Sequence, residues 1–129
     1  MSVLIVDDQV SLQTLLTLFL NDAGYEAVTV NNGAEALAYL QQSTDLPGLI
    51  LLDIAMPKMT GWEFLNHRQR NPRLSAIPVV VMSALPYIDC EEQATSAVAV
   101  IDKPIDLLNL AELLHTHYHP QLMMRAMGA

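Results

Sequence analysis

Leu49-Ile50-Leu51-Leu52-Asp53-Ile54-Ala55-Met56-Pro57 is the stretch on which the fold turns. Four apolar residues in a row, with no polar alternation, describe a strand buried on both faces, as in parallel sheets covered by helices. A charge ending such a run needs a partner. Asp53 is also aimed at the strand's C-terminal edge, where open parallel α/β sheets bind their ligands. Two other apolar runs end in the same manner: Val3-Leu4-Ile5-Val6 is followed by Asp7 and Asp8, and Val98-Ala99-Val100-Ile101 leads to Lys103. Three acids and one base at strand ends imply a site for a divalent cation and a phosphoryl group.

Outward from that strand the chain alternates strand and helix five times. Strands are expected at Val3 to Val6, Tyr25 to Val30, Leu49 to Leu52, Pro78 to Met82 and Val98 to Ile101. Helical spacing of apolar residues predicts a first helix over Val10 to Asp22, through Leu12, Leu15, Leu16 and Phe19, stopped at Gly24. A second runs from Ala34 to Gln42 after the Asn31-Asn32-Gly33 turn, with Ala34, Leu37, Ala38 and Leu40 inward. The third, Thr60 to Arg70, ends before Asn71-Pro72, because the residue ahead of proline avoids helical dihedrals. A polar helix over Pro86 to Ser96 and a last helix from Ile105 to about Tyr118 complete the pattern. The tail from Pro120 to Ala129 reads as a frayed terminus.

Composition narrows the function classes. At 129 residues, 52% of them hydrophobic, the chain can bury one core and no second domain of ordinary size. A net charge of -8 argues against nucleic-acid binding, and the one basic group is the loose set Arg68, Arg70 and Arg73. No apolar run reaches the roughly 18 residues of a membrane span, and the start lacks the basic region of a signal peptide. The single cysteine, Cys90, fits a reducing, cytoplasmic setting.

Val6-Asp7-Asp8, the run Leu51 to Pro57 with Gly61, Ser83-Ala84 after the fourth strand and Lys103-Pro104 after the fifth together resemble the receiver domain of two-component response regulators. The resemblance covers residues 2 to about 118, giving a receiver domain over 1–119 and a tail over 120–129. It implies an α/β, flavodoxin-like (βα)5 fold, a doubly wound parallel sheet of order 2-1-3-4-5. It also implies a phosphoacceptor partnered by a histidine kinase or phosphotransfer protein and by an unknown output protein. A homodimer is a further possible assembly.

The chemistry of the residues agrees with what the resemblance implies. Asp53 is the candidate nucleophile, because a carboxylate can take a phosphoryl group from a phosphohistidine or small phosphodonor. Asp8, Asp53 and the backbone carbonyl of Ala55 are the expected Mg²⁺ ligands, with Asp7 acting through a metal-bound water. Lys103, a point charge on a flexible stem, is expected to meet only the phosphoryl oxygens, and the Ser83 hydroxyl to donate to another of them. Taken alone, Asp7 and Asp8 also fit a helix N-cap. The convergence of four motifs on one sheet edge favours the phosphoacceptor. His115, His117 and His119 lack an acid or cysteine at matching spacing and are not expected to bind metal. Trp62 and Gly61 read as packing residues, and most of the Leu12 to Leu20 cluster as core, with a surplus suited to a docking patch.

Four departures from the receiver pattern bear on output. Val100 stands where the family usually carries a switching Tyr or Phe, leaving Tyr87 as the nearest aromatic able to act beside Ser83. Ser96-Ala97 replaces the usual Gly-Ala, the segment from Ser83 to Lys103 is about two residues short, and Ala55 and Leu85 are apolar where polar side chains often assist water attack. Val100 and the altered fourth helix favour, as an alternative, a phosphorylation-independent adaptor; an aspartate-nucleophile phosphohydrolase is a more remote alternative. The latter class usually places a second Asp where Ala55 stands.

Overall fold

The computed structural model describes residues 2–54, 60–84 and 97–118. Five strands form one parallel sheet: β1 (Ser2–Val6), β2 (Glu26–Val30), β3 (Leu49–Asp53), β4 (Val79–Ser83) and β5 (Ala99–Asp102), in the order β2-β1-β3-β4-β5. This is the doubly wound order that the resemblance implies. The helices described are α1 (Val10–Asp22), α2 (Gly33–Gln42), α3 (Gly61–Gln69) and α4 (Leu107–His117). The expected helix over Pro86 to Ser96 lies outside the described residues, as do Ala55, Leu85, Tyr87, His119 and the tail.

Alternation along each strand divides the core into two layers. Leu4, Val6, Ile50, Leu52, Val79 and Val81 face α2 and α3, where Ala36, Leu40, Phe64 and Leu65 meet them. Val3, Ile5, Leu49, Leu51, Val80 and Met82 face Leu16 and Leu20 of α1 and Leu110 and Leu114 of α4. Side chains two apart share a face, so the unbroken apolar runs seen in the sequence are what a sheet covered on both sides requires. β3 and β4, at the centre of the order, are buried along their whole length.

Two helices present faces other than those expected. Ala34 and Ala38 of α2 are exposed, and the buried positions are Gly33, Ala36 and Leu40. The helix starts one residue early, with Asn32 as its cap: the Asn32 side chain accepts from the Glu35 amide at 2.9 Å. On α1, Leu15 points outward (45% exposed) and Leu20 inward. A helix apolar around most of its circumference does not declare its phase, and packing against the sheet decides it.

The arginines expected to form a loose basic group are partly structural. Arg68 is buried and donates to the carbonyls of Ile77 and Ser75, the latter at 2.9 Å. Burial pushes its guanidinium below the ordinary arginine value, but a group titrating so high stays charged at neutral pH. Arg73 donates to Leu40 O at 2.8 Å and to Ser43 O, tying the β4 approach to the end of α2. No helix among the described residues is long and apolar enough to cross a membrane.

Candidate functional site

Strand register brings the polar strand ends together. Val6 pairs with Leu52, Asp53 with Met82 and Ser83 with Asp102, so Asp7, Asp53 and Ser83 finish three neighbouring strands at one edge. Between β1 and β3 the chain winds to opposite sides of the sheet, which is the switch point where such folds open a crevice. Asp7 is fully buried and hydrogen-bonded: its amide donates to Val30 O at 3.1 Å, its Oδ1 accepts from the Gln9 amide at 2.8 Å, and its Oδ2 accepts from Lys103 Nζ at 2.9 Å. Asp8, next in the chain, is exposed. Neither acid is the N-cap of α1; that position is Gln9, which makes no side-chain cap.

Lys103 differs from its expected role. Its ammonium lies 2.9 Å from Asp7 and 3.5 Å from Asp53 Oδ1, with the side chain only 15% exposed. Instead of waiting for phosphoryl oxygens alone, it spans two buried carboxylates, since two such charges at this depth need a counter-charge. Its main-chain amide donates to Ser83 O at 2.7 Å, and the Lys103–Pro104 peptide is cis. The fully buried Ser83 is thereby tied to the lysine through the backbone.

Asp7, Asp8 and Asp53 each bring a carboxylate oxygen within 4.8 Å of the others. Hard oxygen donors are the set that Mg²⁺ selects, and opposite ligands of an octahedral Mg²⁺ lie about 4.2 Å apart, so small side-chain rotations close the cluster onto an ion. The donor set fits. The Ala55 carbonyl, the fourth expected ligand, lies outside the described residues.

Other side chains fall where packing puts them. Trp62 is half-buried against the α2/α3 core layer. Gly61 meets the backbone of Ile54, its amide donating to Ile54 O at 3.1 Å. Val100 is 41% exposed on β5, paired with Val81, and has none of the reach of the aromatic it replaces. Leu12 and Leu15 line a groove of about 350 Å³ with Gln9, Pro104, Ile105 and Lys103, leading directly to the lysine. One residue escaped the sequence reading: Gln13, whose side chain reaches back from α1 to the acidic turn. Its only signal was a polar position one turn after Gln9, among several polar residues of α1.

The family model for the response regulator receiver domain matches residues 3–115. Response regulator Rre1 of Synechocystis is 33% identical over 108 residues, 81% of this chain and 46% of that protein. The DNA-binding transcriptional regulator NtrC of Escherichia coli is 36% identical over 127 residues, 94% of this chain and 26% of NtrC. The chain thus spans less than half the length of these two relatives. It covers 89% of an uncharacterised 14.6 kDa protein of Leptolyngbya boryana at 30% identity, that alignment taking in 91% of this chain. Among solved structures, the Vibrio cholerae chemotaxis protein CheY4 superposes with a TM-score of 0.80 at 30% identity, covering 90% of this chain and 97% of CheY4. The signal receiver domain of a histidine kinase from Syntrophus aciditrophicus gives 0.79 at 28%, covering 91% and 89%. With the sheet order, the clustered carboxylates and the lysine already in place, these matches establish that the chain belongs to the response regulator receiver domain family of two-component signalling.

Proposed function

We propose that Asp53 accepts a phosphoryl group and that Asp7, Asp8 and Asp53, with the Ala55 carbonyl, hold the Mg²⁺ ion required for it. The observation that carries this reading is the Lys103 ammonium spanning Asp7 and Asp53 beside Asp8. In the transfer, an Asp53 carboxylate oxygen forms a bond to phosphorus as the bond from phosphorus to the donor nitrogen or oxygen breaks, the electron pair leaving with the donor. Bound Mg²⁺ supplies neutralising charge to the carboxylates and to the transferring group. Lys103 turns from the Asp53 carboxylate to the new phosphoryl oxygens, and Ser83 offers its hydroxyl to another. The Leu12, Leu15 and Ile105 groove beside Lys103 provides an apolar seat for a histidine kinase or phosphotransfer protein. The charge of -8 supports a protein output over direct contact with nucleic acid, and the single cysteine supports a cytoplasmic setting. Incubation with acetyl phosphate and Mg²⁺ tests the reading: one phosphoryl group per chain is expected by intact mass, none with chelator, and no sustained release of phosphate of the kind a phosphohydrolase gives.

The lysine's position carries a second expectation. An ammonium between Asp7 and Asp53 opposes a dication at the same carboxylates, so Lys103→Ala should tighten Mg²⁺ binding, by roughly fivefold or about 1 kcal/mol. Without metal the variant buries Asp7 beside no cation, and its melting temperature should fall and recover as Mg²⁺ is added. Calorimetric titration reads the first effect and thermal melting the second. Weaker Mg²⁺ binding in the variant would show that the ammonium does not compete for the site.

A further inference from the structure

We propose that Gln13 is a positioning residue for the acidic turn, fixing the peptide plane between Asp7 and Asp8 and so the aim of Asp8. This rests on the reading of Asp8 as a Mg²⁺ ligand. The Gln13 side-chain amide donates to the main-chain carbonyl of Asp7 and, at 3.0 Å, to Asn31 Oδ1, with Val30 O at 3.5 Å. β2 ends at Val30, so Asp7 sits where the ladder between β1 and β2 runs out: its amide still donates to Val30 O. Gln13 supplies a donor to the carbonyl on the other side of the same residue.

The geometry explains why that carbonyl matters. The Asp7 carbonyl and the Asp8 amide belong to one rigid planar unit, so holding the oxygen also sets the direction in which the Asp8 Cα leaves it. Asp7 itself is held by Val30, Gln9 and Lys103, whereas Asp8 is exposed. The anchor is firm at both ends. Gln13 sits in the first turn of α1, its amide bonded to Gln9 O at 3.0 Å. Asn31 is held in turn by Glu35, whose Oε1 accepts from the Asn31 amide at 3.1 Å. A chain of contacts thus runs from the N-terminus of α2 to the peptide between the two acids. Partners that orient a metal's ligands commonly account for ten- to hundredfold in affinity.

Gln13→Met keeps the length of the side chain and removes its donors. By calorimetry on the whole chain, it should weaken Mg²⁺ binding about tenfold while amide exchange quickens at Gln9, whose N–H is held by Asp7. Asn31→Ala, which removes only the far anchor, should weaken binding less, and the double variant should bind no worse than Gln13→Met alone. Asp8→Ala is the control for the underlying reading. Wild-type Mg²⁺ affinity in Gln13→Met or fully additive losses in the double variant, beside a weakened Asp8→Ala, overturn this inference alone; should Gln13→Met fail to fold, wild-type affinity in Asn31→Ala does the same. Wild-type affinity in Asp8→Ala overturns the reading of the metal site and this inference with it.

Discussion

Asp53→Asn should abolish phosphoryl uptake from acetyl phosphate in the presence of Mg²⁺, leaving the intact mass unchanged where the wild-type chain gains one phosphoryl group. The amide oxygen of Asn is neutral and a poor nucleophile, while the side chain keeps the shape of the buried position at the end of β3. The neighbouring acids do not replace it. Asp7 is buried with Oδ1 on the Gln9 amide and Oδ2 on Lys103, so attack from either oxygen would break an established contact. Asp8 is exposed in the turn beyond β1. The fold should survive the change, since Lys103 keeps its 2.9 Å contact with Asp7, and an unaltered circular dichroism spectrum would show that lost labelling is chemical. Undiminished labelling of the Asn variant would place the acceptor elsewhere and remove the basis for the mechanism.

What was legible in the sequence followed from burial. A strand covered on both faces must be apolar throughout, so the acids and the lysine that end such runs stand out, and parallel connections bring those ends to one edge. Contacts that depend on side-chain reach were not legible. Lys103 on Asp7 and Asp53 joins residues 96 and 50 positions apart, and nothing in the local pattern distinguishes a lysine awaiting a phosphoryl group from one already neutralising two carboxylates. Gln13 looked like any other polar residue of α1. Arg68 looked like surface charge, although its carbonyl partners, Ser75 and Ile77, lie in the loop leading to β4. Helix phase failed where side chains carried too little contrast: alanine at positions 34, 36 and 38 of α2 is apolar everywhere, and only packing against the sheet selects Ala36 as the buried one. Output is the other gap. Val100 is a half-exposed residue on the sheet's edge strand, and a β-branched side chain has few rotamers with which to signal.

Gly61→Ala should be the most damaging single-methyl addition near the site, lowering stability by about 3 kcal/mol, the upper part of the usual range for overpacking. A Cβ at Gly61 would lie 2.7 Å from Ile54 Cα, 2.8 Å from Asp53 O and 2.8 Å from Ile54 Cδ1. Two of those three atoms are backbone, so no side-chain rotation relieves the clash. α3 cannot easily retreat, because Phe64 and Leu65 are buried in the core layer against the sheet. The Gly61 amide also holds Ile54 O at 3.1 Å. The displacement therefore falls on Asp53 and Ile54, and labelling from acetyl phosphate should slow along with the loss in melting temperature. Gly24→Ala is the matched comparison. At that position nothing lies within 4 Å of a Cβ, but φ is +93°, so the cost is local backbone strain of about 1–2 kcal/mol, with labelling untouched. Chemical denaturation and phosphorylation rate measured on both variants separate the two mechanisms. Wild-type stability and labelling in Gly61→Ala would show that α3 can move off β3 at no cost, so that the close approach at Gly61 does not hold Asp53 in place.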